Sequence, residues 1–166
     1  MPGAGAVHKE VGKMSSWIEE TEPMVYSGRI KVPYNWWVGD TGTRFFISLR
    51  DERKILGTRC PKCDKVFVPP RKSCGRCFCP EMEWREVGPG GELVTYTVPS
   101  YREPIHPAES PFAHAIVKLD GADTGLVHIV AEFGTEQLKS GMRVEAVFRE
   151  ERQGNILDIH HFKPVE

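Results

Sequence analysis

Two CxxC pairs constrain this chain more than any other feature of its sequence. Cys60 and Cys63 form the first pair, Cys74 and Cys77 form the second, and ten residues separate the pairs. Each CxxC turn places two sulfurs on one side of a metal ion, and a short hairpin closes a tetrahedral site with Zn–S distances of about 2.3 Å. Four protein ligands leave no open position for water or substrate. The spacing therefore predicts a structural Zn²⁺ ion.

A fifth cysteine leaves the identity of one zinc ligand open. Cys79 lies two residues after Cys77, so either sulfur is placed to be the fourth ligand. We favour Cys77 because it completes a CxxC pair, and we expect Cys79 to be a free, partly buried thiol. An odd number of cysteines, four of them assigned to metal, argues against a disulfide framework and favours a reducing cytoplasm.

Composition and charge exclude some classes of function. The 166-residue chain carries a net charge of −1, whereas nucleic-acid-binding modules usually carry a basic surplus. No stretch of the sequence predicts a secretory signal or a membrane span. Locally, residues 53–76 contain eight basic residues and one acid, Asp64. These cations offset the charge of zinc-bound thiolates, and a second role in binding phosphate groups is also open.

The predicted fold is mainly β and has three parts. Residues 1–57 form an N-terminal extension and helical segment, residues 58–86 form a rubredoxin-like zinc ribbon, and residues 87–166 form a five-stranded OB-type barrel. The glycine-rich stretch 87–91 is predicted to be a hinge between the last two parts.

The helix and the ribbon strand are predicted from local pattern. Apolar residues recur at helical spacing over residues 41–56, and Gly57 is suited to the position after the C-terminal end of that helix. Val66–Val68 forms a short strand between the two CxxC pairs. Phe67 and Trp84 are expected to form the small apolar core of the ribbon.

The barrel is predicted from five short β-patterns with turns between them. A single helical turn at residues 135–138 separates the third strand from the fourth, as in a small closed Greek-key barrel of the OB type. In chain order, the predicted strands are residues 92–101, 112–119, 126–133, 143–148 and 156–162.

An aromatic segment without a clear period lies near the N-terminus. Prolines interrupt it, yet its aromatic content is too high for a disordered tail. Such a segment usually folds by lying on another surface, either the rest of this chain or a partner protein. Its aromatic residues are Trp17, Tyr26, Tyr34, Trp36 and Trp37.

Several stretches together resemble one family, the zinc-ribbon plus OB-fold proteins that are linked to acyl-CoA metabolism. The resemblance extends over residues 41–163 and depends on the combination of motifs, because each motif alone is unspecific. The stretches that carry it are Ile55–Cys63, Val66–Arg71, Cys74–Cys77, Gly91–Val98 and Ser140–Val144.

The resemblance implies an accessory subunit of a thiolase-like hetero-oligomer that acts on acyl-CoA thioesters. The partner then carries the nucleophilic cysteine and the catalytic histidines. The aromatic N-terminal segment is similar to that of the zinc-finger subunits of benzoylsuccinyl-CoA thiolases, from anaerobic aromatic degradation. We expect the ribbon and this segment to dock onto the partner. Arg71, Lys72 and Arg76 are then placed to contact the phosphates of a CoA ester.

No catalytic set is predicted within the chain itself. Thiolase chemistry needs an activated cysteine with a nearby base, and no histidine lies within twenty residues of Cys79 in the sequence. His160 and His161 are expected to point to opposite faces of the last strand, which would prevent them from forming one site. The other histidines considered, His106, His114 and His128, are expected to be solvated or structural.

Two alternatives from other classes remain. OB folds and zinc ribbons both bind single-stranded nucleic acid, which requires stacking aromatics inside a basic groove. The barrel strands offer Tyr96, Phe112 and Phe148, but they are accompanied by many acids. The last alternative is an enzyme that turns over acyl-CoA esters without a partner.

Overall fold

The structure is a computed structural model that describes residues 22, 24–28, 30–101, 106, 111–134 and 138–165. The chain divides into an N-terminal unit, residues 1–36, and a larger unit, residues 37–166. The fold is mainly β with a short helix, as predicted. The elements are α1 Gly39–Ile47, β1 Ile55–Arg59, β2 Val66–Phe67, β3 Glu83–Val87, β4 Gly90–Thr97, β5 Ala113–Leu119, β6 Gly125–Val130, β7 Arg143–Phe148 and β8 Ile159–Pro164.

The predicted helix over residues 41–56 is wrong at its C-terminal end. Helix α1 ends at Ile47, a π-helical turn covers Ser48–Glu52, and Arg53 ends it in a left-handed conformation with φ of 56°. Residues 55–59 instead form β1, the central strand of the ribbon sheet. Gly57 lies within that strand, where a Cβ would lie 2.9 Å from the Phe67 carbonyl oxygen. The glycine therefore permits close strand pairing and does not end a helix.

The ribbon is a three-stranded antiparallel sheet in the order β2-β1-β3. Phe67 on β2 is buried against Cys60 and Cys74, which confirms half of the predicted ribbon core. Trp84 is not part of this cluster. Its half-buried ring instead lies 4.5 Å beneath the guanidinium carbon of Arg44 on α1, at cation–π distance.

The barrel is closed in the strand order β4-β5-β6-β8-β7, with all pairs antiparallel except β6 with β8. This is the strand order of an OB fold, and the five predicted strands all exist with small shifts at their ends. The last one begins later than predicted, because Ile156–Asp158 forms a 3₁₀ turn. The helical turn predicted at residues 135–138 falls mainly outside the described residues. The interior of the barrel is filled by apolar side chains, among them Leu93, Val117, Val130, Val144 and Phe162.

The segment predicted to be a hinge is a fixed junction. The Gly88 N–H donates to the Asp120 carbonyl at 3.0 Å, and the Asp120 N–H donates back to the Gly90 carbonyl at 2.9 Å. The Pro89 carbonyl accepts from the Ala146 N–H at 3.0 Å. Val87, at the start of this segment, is only 4% exposed. The glycines allow tight turns here, and the hydrogen bonds remove the freedom that a hinge needs.

The loop between β5 and β6 clips the ribbon to the barrel. The Asp123 carboxylate accepts from the Lys65 ammonium at 2.7 Å and from the Val66 N–H at 2.9 Å. The Thr124 hydroxyl accepts from the Val68 N–H at 2.7 Å and donates to its carbonyl at 2.9 Å. Ile55, Val68 and Val87 also belong to the same apolar core as the barrel interior. The three-part division at 57/58 and 86/87 stays a prediction, but ribbon and barrel are packed as one body.

The loop before β8 is organised by a buried carboxylate. Asp158 is 1% exposed and accepts from the N–H groups of Gln153 at 2.8 Å, Gly154 at 2.7 Å and Asn155 at 3.3 Å. The Asn155 side chain in turn accepts from the Leu157 N–H at 2.8 Å and caps the 3₁₀ turn. One carboxylate thus satisfies three backbone donors that would otherwise lack partners.

Candidate metal centre and ribbon surface

The two CxxC turns have the same backbone construction. In the first, the Asp64 N–H donates to the Cys60 carbonyl at 2.9 Å, and the Cys60 N–H donates to the Lys65 carbonyl at 2.9 Å. In the second, Phe78 takes the place of Asp64 and Cys79 takes the place of Lys65, with distances of 3.1 Å and 2.9 Å. Asp64 and Phe78 both adopt left-handed φ angles, 63° and 57°. Each turn therefore points the sulfurs of its cysteine pair inward.

This equivalence gives Cys79 a structural role. It closes the second turn with its backbone carbonyl, as Lys65 closes the first, while its own thiol lies 3.5 Å from the Glu81 carbonyl. The structure brings Cys77, and not Cys79, together with the other three cysteines. Cys79 is half-buried, as expected from the sequence.

The four sulfurs of Cys60, Cys63, Cys74 and Cys77 fit the geometry of one tetrahedral zinc ion. All four lie within 4.8 Å of one another, and two pairs, Cys60–Cys77 and Cys63–Cys74, are 3.5 Å apart. A tetrahedron with Zn–S bonds of about 2.3 Å has edges of about 3.8 Å, within this range. Four thiolates complete the coordination, so a metal held here has a structural role.

Backbone donors prepare the second turn for a thiolate. The Cys77 and Arg76 N–H groups each donate to the Cys74 sulfur at 3.4 Å. The bond from Cys77 has the largest effect on the pKa of Cys74; burial opposes it and the bond from Arg76 adds to it, so that the pKa falls to about 6. Because the thiolate is the form that binds metal, these donors prepare the Cys74 sulfur for a metal ion at neutral pH. At Cys77 the backbone hydrogen bond at Cys79 acts in the same direction, but burial and the neighbouring Cys60 sulfur outweigh it and raise the pKa of Cys77 to about 12.

The three cations considered as CoA contacts are exposed on the ribbon. The Arg71 backbone is held by the buried Thr58 hydroxyl, which accepts from its N–H at 2.8 Å and donates to its carbonyl at 3.1 Å. The Arg71 guanidinium carbon lies 5.2 Å above the Phe67 ring. Lys72 lines a cavity of about 300 Å³ with residues 37–41 at the start of α1. Among the described residues, no carboxylate forms a salt bridge with Arg71, Lys72 or Arg76.

Three of the other basic residues in segment 53–76 are already paired, whereas Arg53 and Lys62 form no salt bridge among the described residues. Arg59 bridges Asp64 and Glu83, Lys65 pairs with Asp123, and Lys54 pairs with Glu86 at 3.1 Å. The basic excess of this segment is thus divided. Some cations hold the fold together, whereas Arg76 on the second CxxC turn forms no salt bridge in the described chain and lies two residues from Phe78, whose ring is 83% exposed.

The prediction that His160 and His161 cannot meet is wrong. Their Nδ1 atoms lie 3.1 Å apart, and the Nε2 atom of His161 lies 2.8 Å from a Glu132 carboxylate oxygen. Alternation does leave His160 exposed and His161 buried, but the two rings turn toward each other along the strand. The left-handed φ of Glu132, 59°, places its carboxylate under His161. Sequence pattern carries no signal for this contact.

His128 is a buried histidine of the barrel. Its Nε2 atom lies 3.2 Å from the Ile156 carbonyl, whereas its Nδ1 atom is buried and without a hydrogen-bond partner in the described chain. Burial lowers the pKa of His128, and the Ile156 carbonyl opposes this effect to a smaller extent. The folded protein therefore keeps this ring neutral at pH values where an unfolded chain would protonate it.

We expect His128 to make the stability of the protein depend on pH. Because its folded-state pKa is depressed, its contribution is complete above the unfolded pKa of about 6.5 and is lost as the pH falls below that value. The Tm should fall as the pH is lowered from about 7.5 to about 5.5. His128→Gln should make the dependence of Tm on pH less steep. Val127→Gln, which adds the same side chain at the exposed neighbour, should keep the wild-type slope. Equal slopes for wild type and His128→Gln would contradict the assignment.

Among the described residues, the outer face of the barrel has aliphatic and hydroxyl side chains at the centre of strands β4 to β6. Residues paired across β4, β5 and β6 place Thr95, Ile116 and Val127 side by side on that face. Phe112 is buried and cannot stack on a base, whereas Tyr96 is 36% exposed and its hydroxyl donates to the Leu138 carbonyl at 2.6 Å. These observations disfavour the single-strand-binding alternative.

Within the described ranges, no helix is long and apolar enough to cross a membrane.

Two family descriptions match adjoining parts of the chain. Residues 48–83 match the rubredoxin-like zinc ribbon domain of ChsH2, and residues 84–149 match its C-terminal OB-fold domain. The chain belongs to this ChsH2-type family of zinc-ribbon and OB-fold proteins, which also carries the name DUF35.

One relative and two solved structures are similar to this chain in sequence or in fold. A "DUF35 domain-containing scaffold protein" of Methanocaldococcus jannaschii is 28% identical over 123 residues, which cover 71% of this chain and 86% of that protein. The solved "Ltp2-ChsH2(DUF35) aldolase" is similar with a TM-score of 0.56 and 22% identity, covering 74% of this chain and 93% of that chain. A DUF35 protein of unknown function from Sulfolobus solfataricus has a TM-score of 0.53 and 25% identity, covering 66% and 78%.

Proposed function

We propose that this chain is a non-catalytic accessory subunit of a thiolase-like hetero-oligomer that acts on acyl-CoA thioesters in the cytoplasm. The observation that carries the proposal is the closed four-cysteine centre beside an exposed, unpaired basic surface. Such a centre organises a docking surface and offers no open position for a reaction. Two similar proteins are named as a scaffold protein and as a chain of an aldolase, which supports a role beside an enzyme subunit.

The division of labour follows from the cysteines. Four of the five lie in the candidate metal centre, and the fifth, Cys79, has no described histidine beside it. A thiolase-type reaction needs an activated cysteine and a base, which in this proposal belong to the partner. The Zn²⁺ ion, when bound, supplies structure only. The ribbon's contribution is a rigid surface that places Arg71, Lys72, Arg76 and Phe78 against the partner.

Arg71, Lys72 and Arg76 are proposed to contact the phosphates of the CoA ester at the shared interface. Arginine binds phosphate through a planar fork and lysine through a mobile point charge, so both residue types suit this task. Thr58 fixes the backbone of Arg71, which limits the entropy lost when its side chain binds.

Charge reversal at this surface should weaken substrate binding by the complex. Each charge-assisted contact contributes about 1.5–3 kcal/mol, so Arg71→Glu with Lys72→Glu should raise the KM for the CoA ester roughly tenfold or more, with kcat largely kept. Lys118→Glu with Lys139→Glu makes the same charge change on the barrel and should leave the KM near wild type. An unchanged KM in the ribbon variant would remove CoA contact from the proposal.

Co-expression with a thiolase-like subunit tests the main proposal. We expect the two chains to co-purify, and only the complex to cleave β-ketoacyl-CoA esters. Benzoylsuccinyl-CoA is the first substrate to assay, because the N-terminal segment is similar to that of the zinc-finger subunits of benzoylsuccinyl-CoA thiolases. Full turnover of CoA esters by the isolated chain, or full activity of the partner without it, would overturn the accessory role.

A further inference from the structure

The N-terminal unit exposes an unusual run of large apolar side chains. Trp36, Tyr34, Val32 and Ile30 are 69%, 75%, 66% and 92% exposed, and Tyr26 is 84% exposed. Scattered exposed apolar residues are normal, but a contiguous run of this size marks an interaction site. We call residues 30–36 the arm.

The arm has the side-chain pattern of a strand although it forms no strand here. Ile30, Val32, Tyr34 and Trp36 occupy every second position, with Lys31, Pro33 and Asn35 between them. In an extended chain, alternate side chains point to the same face. The arm therefore has one apolar face, and its other face is formed by polar residues and a proline.

The backbone of the arm is also available for pairing. No hydrogen bond is formed by residues 30–36 in the described structure. Backbone groups of alternate residues point to opposite edges of an extended chain, and Pro33, which lacks an N–H, lies on the edge formed by the odd-numbered residues. Proline is tolerated at a sheet edge only where its missing donor faces away from the pairing strand. The arm can therefore pair through the edge of its even-numbered residues.

We propose that the arm binds as an added β-strand at an open sheet edge of the catalytic subunit, with Ile30, Val32, Tyr34 and Trp36 in pockets on one face of that sheet. This inference rests on the proposed function. Addition of an extended strand to a sheet edge is a general mode of peptide recognition, in which backbone bonds give affinity and alternate side chains give specificity.

Two observations support an enzyme subunit as the proposed occupant. The arm lies outside residues 48–149, the part of the chain matched by the family descriptions, so it is an addition to the shared scaffold. Residues 23–39 contain Arg29 and Lys31 and no acid. A binding site that matches the arm has apolar pockets and an acidic rim. A second copy of the arm carries the same basic residues and would repel the first.

Proline and serine substitutions test the arm in the full-length chain against the purified thiolase-like subunit. Val32→Pro removes an N–H from the pairing edge, whereas Asn35→Pro removes one from the opposite edge. Ile30→Ser with Tyr34→Ser removes two apolar contacts, and Lys31→Ser with Asn35→Ser is the matched control. We expect the Kd to rise about 30-fold or more for Val32→Pro and for the apolar double variant, and less than about threefold for both controls.

The outcomes separate this inference from the proposed function. A wild-type Kd that is unchanged in all four variants overturns the proposal that the arm binds the partner, and it leaves the accessory role standing. Equal losses for Val32→Pro and Asn35→Pro overturn strand addition. Absence of any binding by the wild-type chain overturns the proposed function and the arm with it. Self-association of the chain alone that the apolar double variant abolishes assigns the arm to a second copy and overturns the proposal.

Discussion

Replacing Cys60 or Cys74 with serine should release zinc and prevent assembly with the partner subunit. Structural zinc sites in small modules contribute apparent binding free energies of about 10–16 kcal/mol, far more than a two-stranded or three-stranded sheet can supply alone. Cys60 and Cys74 are the two buried ligands, and both pack against Phe67 in the ribbon's small apolar cluster. Loss of either sulfur removes a ligand and opens that cluster.

Elemental analysis and co-purification measure this effect. We expect about one zinc per wild-type chain, and little or none in either variant, with the strands of the barrel still formed but the complex no longer recovered. Cys79→Ser is the matched control, because Cys79 closes the second turn through its backbone carbonyl and not its sulfur. A Cys60→Ser chain that keeps its zinc and its partner would contradict the assigned centre.

Replacing Asp158 with alanine should produce a large stability loss in the barrel. The change leaves the N–H groups of Gln153, Gly154 and Asn155 without their acceptor in a partly exposed loop. Each lost hydrogen bond to a charged group costs about 1.5–3 kcal/mol, but solvent reaches part of this loop, so a total of about 3 kcal/mol is expected. Chemical unfolding of the two proteins measures the difference.

Two further variants test whether the loss of the Asp158 carboxylate acceptor causes the fall in stability. Asp158→Asn retains one carbonyl oxygen and should lose less stability than Asp158→Ala. Glu151→Ala removes an exposed carboxylate from the same loop and should change the unfolding free energy by less than about 0.5 kcal/mol. Equal losses for the alanine and asparagine variants would show that the hydrogen bonds do not hold the loop.

The parts of the fold that follow local rules could be predicted from sequence. Cysteine spacing is a local property, so the four sulfurs could be selected before their geometry was known. The alternating patterns of the barrel likewise located all five strands, and a single predicted turn was sufficient to suggest the OB order.

The parts that depend on distant residues could not be predicted. Ile55 and Leu56 continue the spacing of the predicted helix, but pairing with β2 and β3 on both sides makes Ile55–Arg59 a strand. The glycines near residue 90 suggested mobility, whereas hydrogen bonds to Asp120, some thirty residues away, fix them. The carboxylate that contacts His161 comes from Glu132, in the loop after β6 and in a left-handed conformation. None of these features leaves a pattern in a short window of sequence.

The clip formed by Asp123 and Thr124 has a consequence for how the chain is maintained in a cell. Since ribbon and barrel share one core, heating should melt both in a single cooperative transition. A metal ion bound to the ribbon should therefore raise the melting temperature of the barrel as well. A chain synthesised during zinc starvation would then keep its barrel strands but melt at a lower temperature, so proteases would reach its unfolded form more often. Metal supply would in this way affect how many folded copies remain.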